Sequence, residues 1–137
     1  MIDSNTIFNL VPQKPPFVML DKLIGCEKGK YTSEFRVDAK NIFIEGQKLL
    51  NYALIENIGQ TAAVGLKLTS TTVGKFQDGV LGGIYKLQCY GNAKIDDVIK
   101  TEVQLMAEMG SLFKVKGSCF VENLMIFECE LNISAID

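Results

Sequence analysis

Glu56 is the only charged residue between Leu49 and Leu66, in a run otherwise made of apolar and uncharged side chains. A carboxylate in such surroundings loses hydration, and desolvation disfavours the anion. That makes Glu56 a candidate acid or base near neutral pH. If the run is helical, Tyr52, Glu56 and Gln60 stand four apart on one face, with Tyr52 and Gln60 placed to support the carboxylate. The bland alternative is a Glu56 that meets solvent at a seam between subunits, or that caps a backbone donor. The chain contains no histidine. Ser-His-Asp and Cys-His catalysis are therefore excluded, together with any imidazole base. Acid–base work falls to carboxylates, Lys, Tyr, Cys or water. Zinc sites need clustered thiolates or imidazoles, whereas Cys26, Cys89, Cys119 and Cys129 are scattered with no C-x-x-C pair. No metal or redox cofactor is expected. Cys89, Cys119 and Cys129 fall in predicted strands, where a small buried hydrophobe is the simpler reading.

The elements that must position Glu56 follow from periodicity. Leu50, Ala53, Leu54, Asn57, Ile58, Thr61, Ala62, Gly65 and Leu66 recur at three-to-four spacing, which predicts a helix over residues 48–68. A helix apolar nearly all round is buried in protein. A membrane span is rejected, since Asn51, Glu56, Asn57, Gln60 and Thr61 would all enter lipid. Before the helix, strands are predicted over 20–28 and 30–37, broken at Gly29. After a Gly- and Ser/Thr-rich loop over 69–78 the period becomes two, predicting strands over 79–91, 98–109, 111–121 and 124–134. Gly110-Ser111 and Glu122-Asn123 read as hairpin turns. The clearest alternation places Ile99, Thr101, Val103, Leu105, Ala107 and Met109 inward. Upstream, Pro12, Pro15 and Pro16 mark a rigid extended connector. Two strands, one buried helix and four antiparallel strands predict an α+β domain whose sheet wraps the helix, the hot-dog pattern.

Length and composition agree. One domain over residues 1–137 is expected, and 47% hydrophobic against 22% charged residues argues for a sizeable core rather than disorder. A net charge of −2, with the basic residues scattered, gives no nucleic-acid footprint. No basic stretch followed by a long apolar run opens the chain, and the unpaired cysteines suit a reducing compartment, so a cytoplasmic location is expected and no membrane contact.

The order of motifs resembles the β-hydroxyacyl-acyl-carrier-protein dehydratases of fatty-acid synthesis. Leu10-Val11-Pro12-Gln13-Lys14-Pro15-Pro16-Phe17, followed by Met19-Leu20-Asp21-Lys22, is similar to that family's leucine-proline-histidine opening and its later valine-aspartate-arginine. Leu54-Ile55-Glu56-Asn57-Ile58-Gly59-Gln60-Thr61-Ala62 resembles the helix motif ending alanine-glutamine-alanine. Gly83-Ile84, with Asp97 fourteen residues after Gly83, resembles the spacing from the family's glycine-isoleucine to its glycine-aspartate turn, and Lys116-Gly117 ahead of the last hairpin is similar as well. The likeness spans residues 10–131. Two departures stand out. Gln13 occupies the place of the opening histidine, and the segment carrying the catalytic histidine is missing, Glu45-Gly46-Gln47-Lys48 leading almost directly into the helix. A similarly shortened stretch marks the dehydratase-like branch of aryl-polyene gene clusters.

The resemblance implies a 3-hydroxyacyl group carried on acyl carrier protein or coenzyme A, and a homodimer with sites at the subunit interface. It puts Glu56 in the place of the acid that protonates the departing hydroxyl. Backbone amides near Gln47 and Asn51, at the helix's positive end, would stabilise the enolate-like oxygen. Gly83 and Phe43 are candidate substrate contacts, although a strand irregularity and core packing explain them as well. Nothing inherits the base outright: Glu45, Tyr52, or Glu56 serving both steps in turn remain open. A thioesterase asks for less, one carboxylate activating water. A third reading is a non-catalytic acyl-binding subunit paired with an active relative.

Overall fold

Tight turns set the sheet. Gly29 adopts φ 87° between β1 (Lys22–Glu27) and β2 (Lys30–Arg36), a conformation that favours glycine. Glu122 (φ 51°) and Asn123 (φ 67°) form the two-residue turn between β7 (Leu112–Val121) and β8 (Leu124–Ile136), and positive φ at both positions matches the twist of the flanking strands. The computed structural model describes Asp3, Leu10, Gln13, residues 15–69 and residues 78–136. The proposed connector and the 69–78 loop lie largely outside these. β5 (Asp78–Cys89) and β6 (Val98–Met109) complete a six-stranded antiparallel sheet of order β1-β2-β6-β7-β8-β5. Its concave face packs on one helix, α1 (Asn51–Thr69). The fold is the α+β hot-dog.

Two details differ from the periodicity. Residues 48 and 49 are not helical; a miniature hairpin, β3 (Ile44–Glu45) with β4 (Lys48–Leu49), turns at Gly46 and delivers the chain to α1. In β6 the inward alternation holds for Ile99, Thr101, Val103 and the half-buried Leu105, then fails. Beyond the register shift between Leu105 and Ala107, residues 106–109 are exposed on both faces, Ala107 and Met109 among them, so this end of the strand carries no buried side.

Close approach of helix and sheet depends on two missing side chains. A Cβ at Gly117 of β7 would run into Ile58, and one at Gly65 of α1 would run into the Tyr31 ring. Around these contacts α1 buries Ala53, Leu54, Ile58, Ala62, Val64 and Leu66 against Leu23, Phe35, Val103, Val115, Phe127 and Leu131. α1 also buries three polar residues, and each is paired. Asn57 donates from Nδ2 to the Met19 carbonyl (2.6 Å) and accepts from Thr101; Thr61 hydrogen-bonds Ser33 (2.7 Å); Gln60 holds residues 17–19. Paired in this way, buried polar groups avoid the desolvation penalty that orphans incur.

Of the strand cysteines, Cys119 and Cys129 are buried as expected, whereas Cys89, at the end of edge strand β5, is exposed. Burial pushes the Cys119 thiol up to about 12; burial, helped by the Glu128 and Glu130 charges, raises Cys129 to about 11. The fold therefore keeps both protonated where the unfolded chain ionises them, above the ordinary value of 9.0. The stabilisation is fully present below that value and is lost as pH climbs through 11 to 12. Urea unfolding at about pH 10.5 is expected to show a loss on the order of 4 kcal/mol relative to pH 8, roughly half from each thiol. A Cys119→Ala/Cys129→Ala variant should show a distinctly flatter alkaline slope. An equal slope would remove the thiols as its cause.

Candidate active site

One face of α1 turns toward the β5 edge of the sheet, and there Ile55, Glu56, Gly59, Gln60 and Ala63 line a cleft of about 100 Å³. Gly79 and Leu81 of β5 and Ile133 of β8 form the facing wall, and Gln13 closes a third side. Gly59 and Gly79 present no side chain to this lining. Glu56 is half-buried and is the only ionisable side chain among the described residues lining the cleft.

Gln60, only 2% exposed, has little capacity left for a ligand. Its Oε1 accepts from the Met19 N–H (2.7 Å) and its Nε2 donates to the Phe17 carbonyl (2.9 Å), with a longer contact to Glu56 Oε2 at 3.4 Å. Gln60 thus ties the segment entering β1 to the helix and leans on the carboxylate, a positioning task. Gln13 is different. Its Oε1 is buried without a hydrogen-bond partner, at a cost of about 1–3 kcal/mol for an orphaned acceptor.

The other anticipated residues lie elsewhere. Tyr52, 55% exposed, packs on Phe43 with ring centroids 5.1 Å apart, and neither lines the Glu56 cleft. Gln47 is exposed at the β3–β4 turn, where its carbonyl accepts from Ile95 (3.1 Å). The neighbouring Leu49 and Leu50 amides donate to Ala93 (2.9 Å) and Phe43 (2.8 Å), so neither is free to hold an oxyanion. Asn51 opens α1 with Nδ2 directed to Cys89 Sγ (3.2 Å) and Oδ1 unpartnered. Gly83 pairs with Asn132 on the face of the sheet turned away from α1, beneath the Tyr85 ring. Glu45, exposed on β3, also stands outside the cleft. Of the anticipated residues the structure brings together Glu56 and Gln60, and it adds Gln13. The signal for Gln13 was its place in the opening motif, where the resembling family carries histidine.

A hot-dog domain with one carboxylate in an otherwise uncharged helix–sheet cleft is the class of protein that the structure defines. The ApeP-like family (ApeP dehydratase) matches residues 5–136, and the chain belongs to it. Among curated relatives, the 3-hydroxyacyl-[acyl-carrier-protein] dehydratase FabZ of Caldicellulosiruptor bescii is 27% identical over 137 residues, covering 96% of each chain. Among solved structures, the dehydratase heterocomplex ApeI:P from Xenorhabdus doucetiae superimposes with a TM-score of 0.84 at 16% identity, covering 96% of this chain and 91% of that one. A hypothetical thioesterase with coenzyme A from Streptococcus pneumoniae follows at TM-score 0.68 and 10% identity, covering 84% of each chain. At these identities the two structures speak for the fold. No helix among the described residues is long and apolar enough to cross a membrane.

Proposed function

We propose that this chain acts on a 3-hydroxyacyl group carried as a thioester on acyl carrier protein or coenzyme A, and that Glu56 protonates the departing hydroxyl. The supporting observation is Glu56 itself, the one ionisable group among the described residues lining the cleft, at the position to which the motif resemblance assigns the acid. Dehydration removes a proton from the carbon next to the thioester carbonyl, forms the carbon–carbon double bond and expels the hydroxyl as water. In this chain acting alone, Glu56 must take that first proton and return it to the hydroxyl. A second, histidine-bearing chain would relieve it of the first task.

A paired assembly suits the surface. β5 is a sheet edge hydrogen-bonded only to β8 among the described strands, and it exposes Val80, Leu81, Ile84, Tyr85 and Leu87 beside the cleft. Long apolar edges invite strand addition from another chain. A homodimer or a mixed dimer would cover it, and the relative of known structure is a heterocomplex. Hydrolysis is the second reading, favoured by the single carboxylate, since one general base on water suffices for it.

The test is to incubate the purified protein with 3-hydroxyacyl and simple acyl thioesters, following enoyl absorbance and free thiol together. Enoyl product without thiol is the expected result. Thiol release would overturn dehydration in favour of hydrolysis. Neither signal, with acyl thioester still bound, would make the chain the silent partner of an active relative.

A further inference from the structure

The amide of Gln60 cannot turn round. Its Oε1 accepts from the Met19 N–H at 2.7 Å, and an NH2 group in that place would set donor against donor. Both hydrogens of Nε2 therefore lie on the other side. One goes to the Phe17 carbonyl at 2.9 Å; for the second, Glu56 Oε2 at 3.4 Å is the one acceptor in reach among the described residues. The two oxygens of Glu56 are thereby made unequal. Oε2 faces a fixed donor. Oε1 has no hydrogen-bond partner among the described residues and, unlike Gln13 Oε1, it is not shut away from solvent.

We infer that Gln60 is a positioning residue that makes Oε1 the proton-carrying oxygen of Glu56. A carbonyl or carboxylate oxygen accepts a hydrogen bond better than the hydroxyl oxygen of a protonated acid, so a donor held against Oε2 favours the acid whose proton sits on Oε1. The consequence for turnover rests on the dehydratase reading. The proton from the carbon next to the thioester carbonyl forms its new bond at Oε1, and the electron pair it leaves behind becomes the second bond between the carbons. The same proton then passes from Oε1 to the departing oxygen, which keeps the pair of the broken carbon–oxygen bond and goes as water. Glu56 ends as the carboxylate it began as. Oε2 is an acceptor before, during and after, so the bond from Gln60 stays in place while the proton moves, and the donor needs no reorganisation.

Two experiments test this, the first without substrate. The side-chain amide hydrogens of Gln60 are followed by nuclear magnetic resonance through the titration of Glu56, in wild type and in Glu56→Leu. One hydrogen is expected downfield of its position in Glu56→Leu on both sides of the titration. A signal that matches Glu56→Leu throughout would mean that no bond exists. One that falls back to the Glu56→Leu position once the carboxyl is protonated would put the proton on Oε2; either result overturns the assignment. The second experiment is a kinetic cycle. Gln60→Met should lower kcat on the order of ten-fold with KM little changed, and in the Glu56→Gln background it should cost less than about two-fold. An equal loss in both backgrounds would reduce Gln60 to a support of the 17–19 segment and overturn its role. Should Gln60→Met not fold, the titration alone decides. Absence of enoyl product from wild type would sink the dehydratase reading, and the titration would still decide which oxygen Gln60 holds.

Discussion

Replacing Glu56 with Gln is expected to lower dehydration by roughly a hundred- to ten-thousand-fold, the usual worth of a positioned proton donor or acceptor. Gln keeps the length and shape of Glu, and its carbonyl can still meet Gln60 Nε2, which lies 3.4 Å from Glu56 Oε2. The fold should therefore be undisturbed, with a melting temperature within about 2 °C of wild type, because surface-proximal isosteric changes rarely exceed ~0.5 kcal/mol. What is lost is the only side chain among the described residues lining the cleft that can hold and release a proton. Tyr52→Phe is the matched control. Tyr52 lies one helical turn away, more than half exposed, against Phe43 and outside the cleft, so its hydroxyl should change the rate by less than about three-fold. Initial rates of enoyl formation on one thioester, measured for all three proteins, decide the matter. Full activity in Glu56→Gln would remove the carboxylate from the chemistry and move attention to a partner chain.

That Glu56 could be found from sequence, and Gln13 only by its place in a motif, has a physical reason. A single charge in a run of apolar residues is conspicuous, and helical periodicity tells which residues share its face. The two-residue period and the break at Gly29 located the six strands of the main sheet, and paired positive-φ residues at 122 and 123 made a hairpin that the sequence reading had placed there. Periodicity cannot report where the period slips. The register shift after Leu105 inserts one residue into β6, and no residue type there betrays it. β4 was absorbed into the predicted helix and β3 went unpredicted, because two residues apiece at Lys48–Leu49 and Ile44–Glu45 are too few to show a period. Three-dimensional partners were hidden as well. Gln60 was read as a helper of Glu56 because it lies one turn away, yet its two strong bonds go to a segment 41 to 43 residues distant in the chain. Asn57 was read only as one more position on the buried face.

Asn57→Leu is expected to cost about 3–5 kcal/mol, although Leu is the more hydrophobic residue and helix propensity slightly favours it. The side chain is wholly buried, so the added apolar surface of Leu also leaves water on folding, a gain that offsets only part of the loss. The substitution strips partners from two groups that stay buried. The Met19 carbonyl loses its donor, and the Thr101 hydroxyl loses its acceptor, retaining only a 3.5 Å contact with Cys119 Sγ. Each orphan costs about 1–3 kcal/mol, and the introduced side chain must also fit between Met19 and β6. For a chain of this size the loss corresponds to a melting temperature lower by roughly 15 °C. The second site makes the cause visible. In Asn57→Leu/Thr101→Val one of the two orphans is replaced by an apolar group, so the double variant should be at least about 1 kcal/mol more stable than the sum of the single effects predicts, a coupling expected of residues in one network. Strict additivity would mean that the introduced leucine is too large for its place and that the hydrogen bonds were incidental. Coupling would mean that this helix is held in its sheet by polar side chains as much as by its oily ones, and that the cleft beside Glu56 inherits its shape from them.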